Sequence, residues 1–173
     1  ENEHLRCVHA CWDQEHIDWL KENNYNTMTD QLLFDSHIEK SKANTVIEET
    51  LKGKEFDIPE KYIWYDKDGH PRTSNRIKWW IHPHTANCSK FLFDCPKKMK
   101  GKKKTIRKLK FNVYPADAPP VFFGHYWLEY KFPVIQSGNV ICLDYSVAKK
   151  GALVAYMWSG ESVIDNKHFV SVR

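Results

Sequence analysis

Two apolar segments that lie far apart in the sequence each end in a histidine. His9 follows Val8 at the end of a short apolar run, and His125 follows Gly124 at the end of the apolar segment 119–124. Short apolar runs of this kind are typical of buried strands, and the loop after a strand is well placed to hold a metal-binding histidine. Two such strand ends can meet at one edge of a sheet, which would bring the two histidines together. The sequence therefore predicts a site that two remote segments build together.

The composition is that of a globular domain. A length of 173 residues predicts one domain over residues 1–173, and an aromatic content of 14% with seven Trp predicts a core rich in large rings. The net charge of +4 by itself names no partner. No apolar run is long enough to span a membrane and no secretory signal is visible, so we expect a cytoplasmic protein. Since the first residue is Glu1 rather than Met, we expect the chain to derive from a longer polypeptide.

The order of predicted elements indicates an α+β fold. Asp13 is a good N-cap for a helix over residues 14–22, and Thr29 or Asp30 begins a helical stretch that reaches Lys52 with a break near residues 41–44. Turn signals separate the apolar segments of the second half. The predicted strands are 5–12, 62–65, 76–81, 105–114, 121–126, 140–144, 152–158 and 168–172. Because the predicted helices come early and the strands come late, the order of elements favours a fold that forms part of a layered β-sandwich with flanking helices.

The five cysteines do not form a familiar metal or disulfide pattern. Their number is odd and several fall in or beside predicted strands, so we interpret them as reduced core thiols. The alternative is a structural zinc site that uses Cys88 and Cys95, with His82 and His84 just upstream. The close Cys-x2-Cys spacing of common zinc modules is missing.

A basic segment lies between the two histidine motifs. Residues 97–110 carry nine Lys or Arg, most of them in the basic loop 97–104. Such a cluster binds phosphates by releasing counterions, so a polyanion-binding surface is one interpretation. No aromatic residue is interleaved with the charges, which argues against nucleic acid because bases have nothing to stack on. We favour a solvated loop.

Five segments in order carry a resemblance to a known family. They are residues 8–13, 66–70, 76–80, 119–128 and 142–156. Together they resemble the C-terminal half of the bacterial calcineurin-like metallophosphoesterases, the superfamily that includes the serine/threonine protein phosphatases. The match covers nearly the whole chain. The segments around Gly124 and His125 and from Asp144 to Tyr156 make it specific.

The resemblance implies a hydrolase with two metal ions about 3.5–4 Å apart, which polarise a phosphate ester and supply an attacking hydroxide. It implies that His9 and His125 bind the same metal, and that each ring is oriented by a further hydrogen-bond acceptor. Imidazole and carboxylate ligands suit Mn, Fe or Zn. The expected substrate is a phosphoester, either a phosphoprotein or a nucleotide.

The family's other ligands come from upstream motifs that this sequence lacks. These motifs are Asp-x-His, Gly-Asp-x-x-Asp with a following Arg, and Gly-Asn-His. Asp35 and His37 have the first spacing but lie in a predicted helix after His9, so we interpret them as a coincidence. We therefore expect the chain to donate two ligands, to be inactive alone, and either to associate with a missing N-terminal half or to self-associate.

Arginine is the other residue type that the implied chemistry requires, because its guanidinium matches two phosphate oxygens. Arg76 and then Arg72 are the predicted substrate-binding residues, since related phosphatases carry such an arginine between the two histidine motifs. For Asp144 we favour a role in ending a strand and shaping the turn. The alternative function is a non-enzymatic interaction module that binds a protein or polyanion through its aromatic sheet and the basic loop.

Overall fold

The computed structural model describes residues 3–65, 68–103, 106–107, 109 and 112–173. The chain forms a mixed α/β fold with several small sheets, and it divides into two compact units. Unit 1 consists of Glu1–Lys52 and Tyr114–Arg173, and unit 2 of Gly53–Val113. Among the described residues, none of the helices has the length and apolar character needed to cross a membrane.

The strands and α-helices of the described residues follow in chain order. They are β1 (Arg6–Cys7), α1 (Gln14–Glu22), α2 (Asp30–Ser36), α3 (Lys42–Lys52), β2 (Glu55–Asp57), β3 (Trp64–Tyr65), β4 (Pro71–Arg72), β5 (Ser74–Arg76), α4 (Cys88–Phe91), β6 (Val121–Phe123), β7 (Val140–Cys142), β8 (Asp144–Tyr145), β9 (Ala152–Tyr156) and β10 (Phe169–Val172).

Local capping determines where the helices of unit 1 begin and end. The Asp13 carboxylate accepts hydrogen bonds from the backbone N–H groups at the start of α1, which confirms the predicted cap. Thr29 caps α2 by accepting from the Leu32 N–H at 3.1 Å. The helical stretch is interrupted, but at residues 37–41 rather than at the predicted 41–44, because α2 ends at Ser36 and α3 begins at Lys42. Gly53 takes the left-handed conformation with φ of 88°, which suits the residue after a helix.

Two three-stranded sheets make up the β part of unit 1. The first is parallel, in the order β1-β6-β7, and the second is antiparallel, in the order β10-β9-β8. One apolar cluster joins them. Phe122 of β6 and Ile141 of β7 pack with Tyr156 of β9 and Phe169 of β10. The Phe122 and Tyr156 rings have centroids 5.4 Å apart. Residues of both sheets therefore bury one another's apolar faces.

The outer face of β9 and β10 is apolar but exposed. Val172 lies opposite Leu153, and Val170 lies opposite Ala155. Leu153, Val170 and Val172 are all exposed, as is Met157 just after β9. An exposed apolar sheet face of this kind marks either a contact surface or an aggregation risk.

Unit 2 has its own small sheets and its own core. β2 pairs with β5, and β3 pairs with β4, both antiparallel. Asn75 of β5 is buried, and its side chain bonds both the N–H and the carbonyl of Asp94, so its amide is satisfied. The buried residues of unit 2 include Phe56, Ile77, Trp79, Trp80, Phe91, Leu92 and Met99.

Two predicted strands of this unit are wrong, wholly or in part, in the described residues. Residues 106 and 107 form a turn, and no strand appears at 109 or 112–114, while the rest of the predicted strand 105–114 lies outside the described residues. The three-residue spacing of Ile106 and Leu109 fits this turn, where the Leu109 N–H donates to the Ile106 carbonyl at 3.0 Å. The basic loop 97–104 is exposed at most of its described positions, which fits a solvated loop.

Of the predicted strand 76–81, Arg76 is the last residue of β5 and Ile77 forms an isolated β-bridge with Leu92, whereas residues 79–80 form a turn. The Ile81 N–H donates to the Lys78 carbonyl at 2.9 Å. Trp79 and Trp80 are both buried, with their rings 5.7 Å apart and edge to face. Neighbours in a strand point to opposite faces. The turn instead lets both indoles enter the core.

The interpretation of the cysteines as core thiols holds for three of the five, since Cys7 is exposed and Cys95 is half-buried. All five are free, and Cys11, Cys88 and Cys142 are buried. Burial raises the pKa of the Cys142 thiol to about 12. Burial, together with the nearby Cys88 thiol, raises the pKa of Cys95 to about 11.

These pKa shifts predict an order of thiol alkylation. Only the thiolate reacts, and at about pH 8 a pKa near 12 leaves roughly one Cys142 in ten thousand ionised. We expect iodoacetamide to label the exposed Cys7 first and to leave Cys142 unlabelled in the native protein, as read by peptide mass spectrometry. Raising the pH should speed labelling of Cys95 up to its pKa near 11. Denatured protein, labelled at all five positions, is the control. Equal native rates at Cys7 and Cys142 would contradict the prediction.

Candidate functional site

The two histidines follow neighbouring parallel strands. β1 pairs in parallel with β6, and His9 and His125 come just after these strands. The Val8 N–H donates to the Phe122 carbonyl at 3.0 Å, and the Gly124 N–H donates to the His9 carbonyl at 2.9 Å. The backbones therefore remain hydrogen-bonded beyond the strands, which brings both side chains to one edge of the sheet.

The imidazole rings are in contact. His9 Nε2 lies 3.3 Å from His125 Nδ1, with ring centroids 5.1 Å apart and an angle of 47° between the planes. His9 is exposed and His125 half-buried, so solvent reaches the pair. The predicted meeting of the two histidines is confirmed. A neutral pair with suitable tautomers shares one hydrogen bond here.

The spacing of the two nitrogens also fits a shared metal ion. Two nitrogen ligands at about 2.1 Å from one ion lie roughly 3.0 Å apart in an octahedron and 3.4 Å apart in a tetrahedron. The observed 3.3 Å between His9 Nε2 and His125 Nδ1 falls in that interval.

The loop that carries His125 has an unusual backbone. His125 and Trp127 have φ of 64° and 47°, in the left-handed region that non-glycine residues seldom adopt. Such strain persists only where the surroundings impose it, and it is frequent at functional sites. Tyr126, between them, is fully buried and its ring meets Phe123 edge to face at 5.4 Å.

Asp144, the first residue of β8, holds this loop in place through hydrogen bonds. Its Oδ2 accepts from the Trp127 N–H at 3.3 Å, and its Oδ1 accepts from the Ser146 N–H at 3.1 Å. Its carbonyl accepts from the Leu128 N–H at 2.9 Å. These bonds agree with our prediction that Asp144 shapes a turn, but Asp144 begins β8 rather than ending a strand.

An aromatic–cation pair lies two residues beyond His125. The Trp127 side chain is 53% exposed, and Lys149 Nζ lies 3.9 Å from its ring centroid. Cation–π contact at this distance stabilises an exposed pair by about 0.5–1 kcal/mol. The pair places a positive charge near the histidine loop.

The predicted arginines lie in the other unit. Arg72 is an exposed residue of β4, and Arg76 is the last residue of β5. The substrate-binding role of these arginines stays a prediction.

The remaining histidine and cysteine motifs occupy structural positions. His70, His82 and His84 are exposed, as expected. In the part of the chain that the structure describes, no cluster of three ligands unites Cys88, Cys95, His82 and His84, so the alternative zinc site gains no support. His37 caps the end of α2, and its Nδ1 lies 2.8 Å from the Leu33 carbonyl oxygen, which agrees with the helical position expected for Asp35 and His37.

Sequence reasoning missed one group of ligand-type side chains. Asp13, His16 and Glu49 place one donor atom each within 4.8 Å of one another, and within the described residues theirs is the one such group of three. The Asp-x-x-His spacing at the start of α1 was a readable signal. Glu49 comes from α3, and nothing local in the sequence links it to His16.

Comparison with known proteins found no relative of this chain. No family model matches the chain, and no curated protein and no solved structure matches it either. The resemblance to the calcineurin-like phosphoesterases therefore rests on the order of motifs in the sequence.

Proposed function

We propose that this chain is the C-terminal segment of a dinuclear-metal phosphoesterase and that it donates His9 and His125 to one of the two metal ions. In this proposal the enzyme hydrolyses phosphate esters through a metal-bound hydroxide. The ions are Mn, Fe or Zn, and their other ligands come from the polypeptide that precedes this segment. Arg76 and Arg72 are the proposed phosphate-binding residues.

The observation that carries the proposal is the 3.3 Å separation of His9 Nε2 and His125 Nδ1. Residues so remote in sequence meet because the parallel pairing of β1 with β6 brings both strand ends together. The left-handed backbone at His125 adds support, because it holds the ring in place at a conformational cost. A surface histidine with no role needs neither arrangement.

The packing of unit 1 supports the layered part of the proposal. The β1-β6-β7 and β10-β9-β8 sheets share one apolar cluster, as the two layers of a β-sandwich do. The exposed apolar face of β9 and β10 supports association, either with a preceding segment of the same protein or with a second copy.

Metal binding by the histidine pair is tested with Mn²⁺ and NMR. We expect the ring-proton signals of His9 and His125 to broaden together, at lower Mn²⁺ than those of His70, His82 and His84, because two nearby nitrogens bind better than one. His9→Ala should weaken the broadening at His125, while the control His70→Ala should leave it unchanged. Broadening of all the exposed histidines at the same Mn²⁺ concentration would count against a shared ion.

Catalysis is tested by joining the chain to the polypeptide encoded immediately upstream of Glu1. We expect Mn²⁺-dependent hydrolysis of p-nitrophenyl phosphate that His125→Ala lowers by about a hundredfold or more, since losing a metal ligand removes the charge that stabilises the transition state. His70→Ala is again the matched control. Full turnover by the 173-residue chain alone, or an upstream segment without Gly-Asp-x-x-Asp and Gly-Asn-His, would refute the proposal.

A further inference from the structure

We propose a second metal site, separate from the histidine pair, in which Asp13, His16 and Glu49 bind a zinc ion between α1 and α3. The three side chains place one donor atom each within 4.8 Å of one another. One imidazole and two carboxylates are a donor set that zinc accepts, with water in the fourth position. The site does not depend on the proposed phosphoesterase function.

The two ligands from the start of α1 are positioned by the cap itself. Asp13 is extended, and its Oδ1 accepts from the N–H groups of Glu15 at 2.8 Å and His16 at 3.4 Å. These bonds hold the carboxylate over the first turn of α1. Residues three apart lie on one face of a helix, so the His16 ring stands beside that carboxylate.

Glu49 approaches from α3, and its distance from His16 suits a shared ion. His16 Nε2 lies 3.5 Å from Glu49 Oε2, which is long for a hydrogen bond between these groups. Two ligands at about 2.1 Å from a tetrahedral zinc lie roughly 3.4 Å apart. The pair is therefore already at the separation of two ligands on one ion, and the Asp13 donor atom lies within 4.8 Å of the donor atoms of the other two residues.

Burial and charge also favour an ion. His16 is 5% exposed, while the Glu49 side chain is 29% exposed and Asp13 is half-buried, so the imidazole lies inside and the carboxylates line an open side. A protonated His16 offsets the charge of one carboxylate. A divalent ion offsets both, and the open side admits the ion and its water.

An ion in this site would also stiffen the segment next to His9. The carbonyl of Thr50, the residue after Glu49, accepts from the N–H groups of Ala10 at 3.0 Å and Cys11 at 3.4 Å. Zinc that fixes α3 against α1 thereby fixes the chain that follows His9. It acts as a positioning ion rather than a reacting one.

The test uses Zn²⁺ alone and the double variant His9→Ala/His125→Ala, which removes the histidine pair. We expect calorimetry to show one Zn²⁺ per chain, and Co²⁺ in its place to give the intense visible absorption of a tetrahedral site. Asp13→Asn keeps the N-cap and Glu49→Gln keeps the side-chain size, so both variants should fold. We expect each of them to lower the affinity for Zn²⁺ by about tenfold or more. Glu48→Gln, next in the helix and paired with Lys52, is the matched control and should bind as the parent does.

Two results would overturn this site. One is unchanged Zn²⁺ affinity in both Asp13→Asn and Glu49→Gln. The other is loss of all Zn²⁺ binding when only the histidine pair is removed, which would leave the phosphoesterase proposal standing. Conversely, Zn²⁺ bound with the pair removed, together with no Mn²⁺ effect at His9 and His125, would support this site while counting against that function.

Discussion

Replacing Gly151 with alanine is expected to destabilise unit 1 by about 3 kcal/mol or more, because the new methyl group has no room. An added Cβ would lie 1.8 Å from the Tyr145 carbonyl oxygen and 2.7 Å from that of Ser146. Both are backbone atoms, which cannot rotate away as a side chain does. The Gly151 N–H also donates to the Ser146 carbonyl at 3.0 Å, so relief of the clash breaks the turn between β8 and β9.

The measurement is a thermal or urea unfolding curve followed by circular dichroism. A loss of this size corresponds to a fall in melting temperature of roughly 10 °C for a chain of this length. Gly138→Ala is the matched control, because nothing lies within 4 Å of the position that its new methyl group would take, and its stability should change by less than about 1 kcal/mol. Equal stability of the two variants would show that β8 and Gly151 do not approach so closely.

Replacing Tyr126 with alanine is expected to lower the free energy of unfolding by about 3–5 kcal/mol, the usual range for removing a buried aromatic ring. The Tyr126 side chain is 0% exposed and is among the largest fully buried side chains of the described residues. It also anchors the loop whose neighbouring residues, His125 and Trp127, have positive φ. Without that anchor, those two residues should relax toward ordinary backbone conformations.

The substitution therefore has a second readout besides stability. In the fraction of Tyr126→Ala that stays folded, Mn²⁺ should no longer broaden His9 and His125 together, because their rings separate. Phe132→Ala is the control, since its ring is 79% exposed and its loss should change stability by less than about 0.5 kcal/mol. A stable Tyr126→Ala protein with an intact histidine pair would mean that the ring does not hold the loop.

The elements that could be predicted from the sequence are those with local causes. The bounds of α1 follow from the Asp13 cap and the one-sided apolar spacing behind it, and the structure has the helix at the predicted residues. The strand predicted at 76–81 does not continue beyond Ile77, because the aromatic residues that follow also fit a turn that buries both Trp79 and Trp80. Burial of both rings depends on tertiary packing, which short-range patterns do not encode.

The residues of the candidate sites likewise fall into those that the sequence reveals and those that only tertiary packing brings together. The meeting of His9 and His125 was predictable because each follows a recognisable apolar run, and strand ends on one side of a parallel sheet share an edge. Asp13 and His16 were readable as a pair, but Glu49 joins them only through the packing of α3. The support that Asp144 gives to the His125 loop likewise depends on side-chain bonds that a single sequence does not reveal.

The pairing of Arg6 with Val121 also determines when the histidine pair forms during protein synthesis. The first strand leaves the ribosome long before β6 exists, so it has no partner strand while α1, α2 and α3 are being synthesised. Contacts between such distant segments form slowly and late. His9 therefore reaches His125 only after β6 has emerged from the exit tunnel, and a nascent chain that stops before that point lacks the pair.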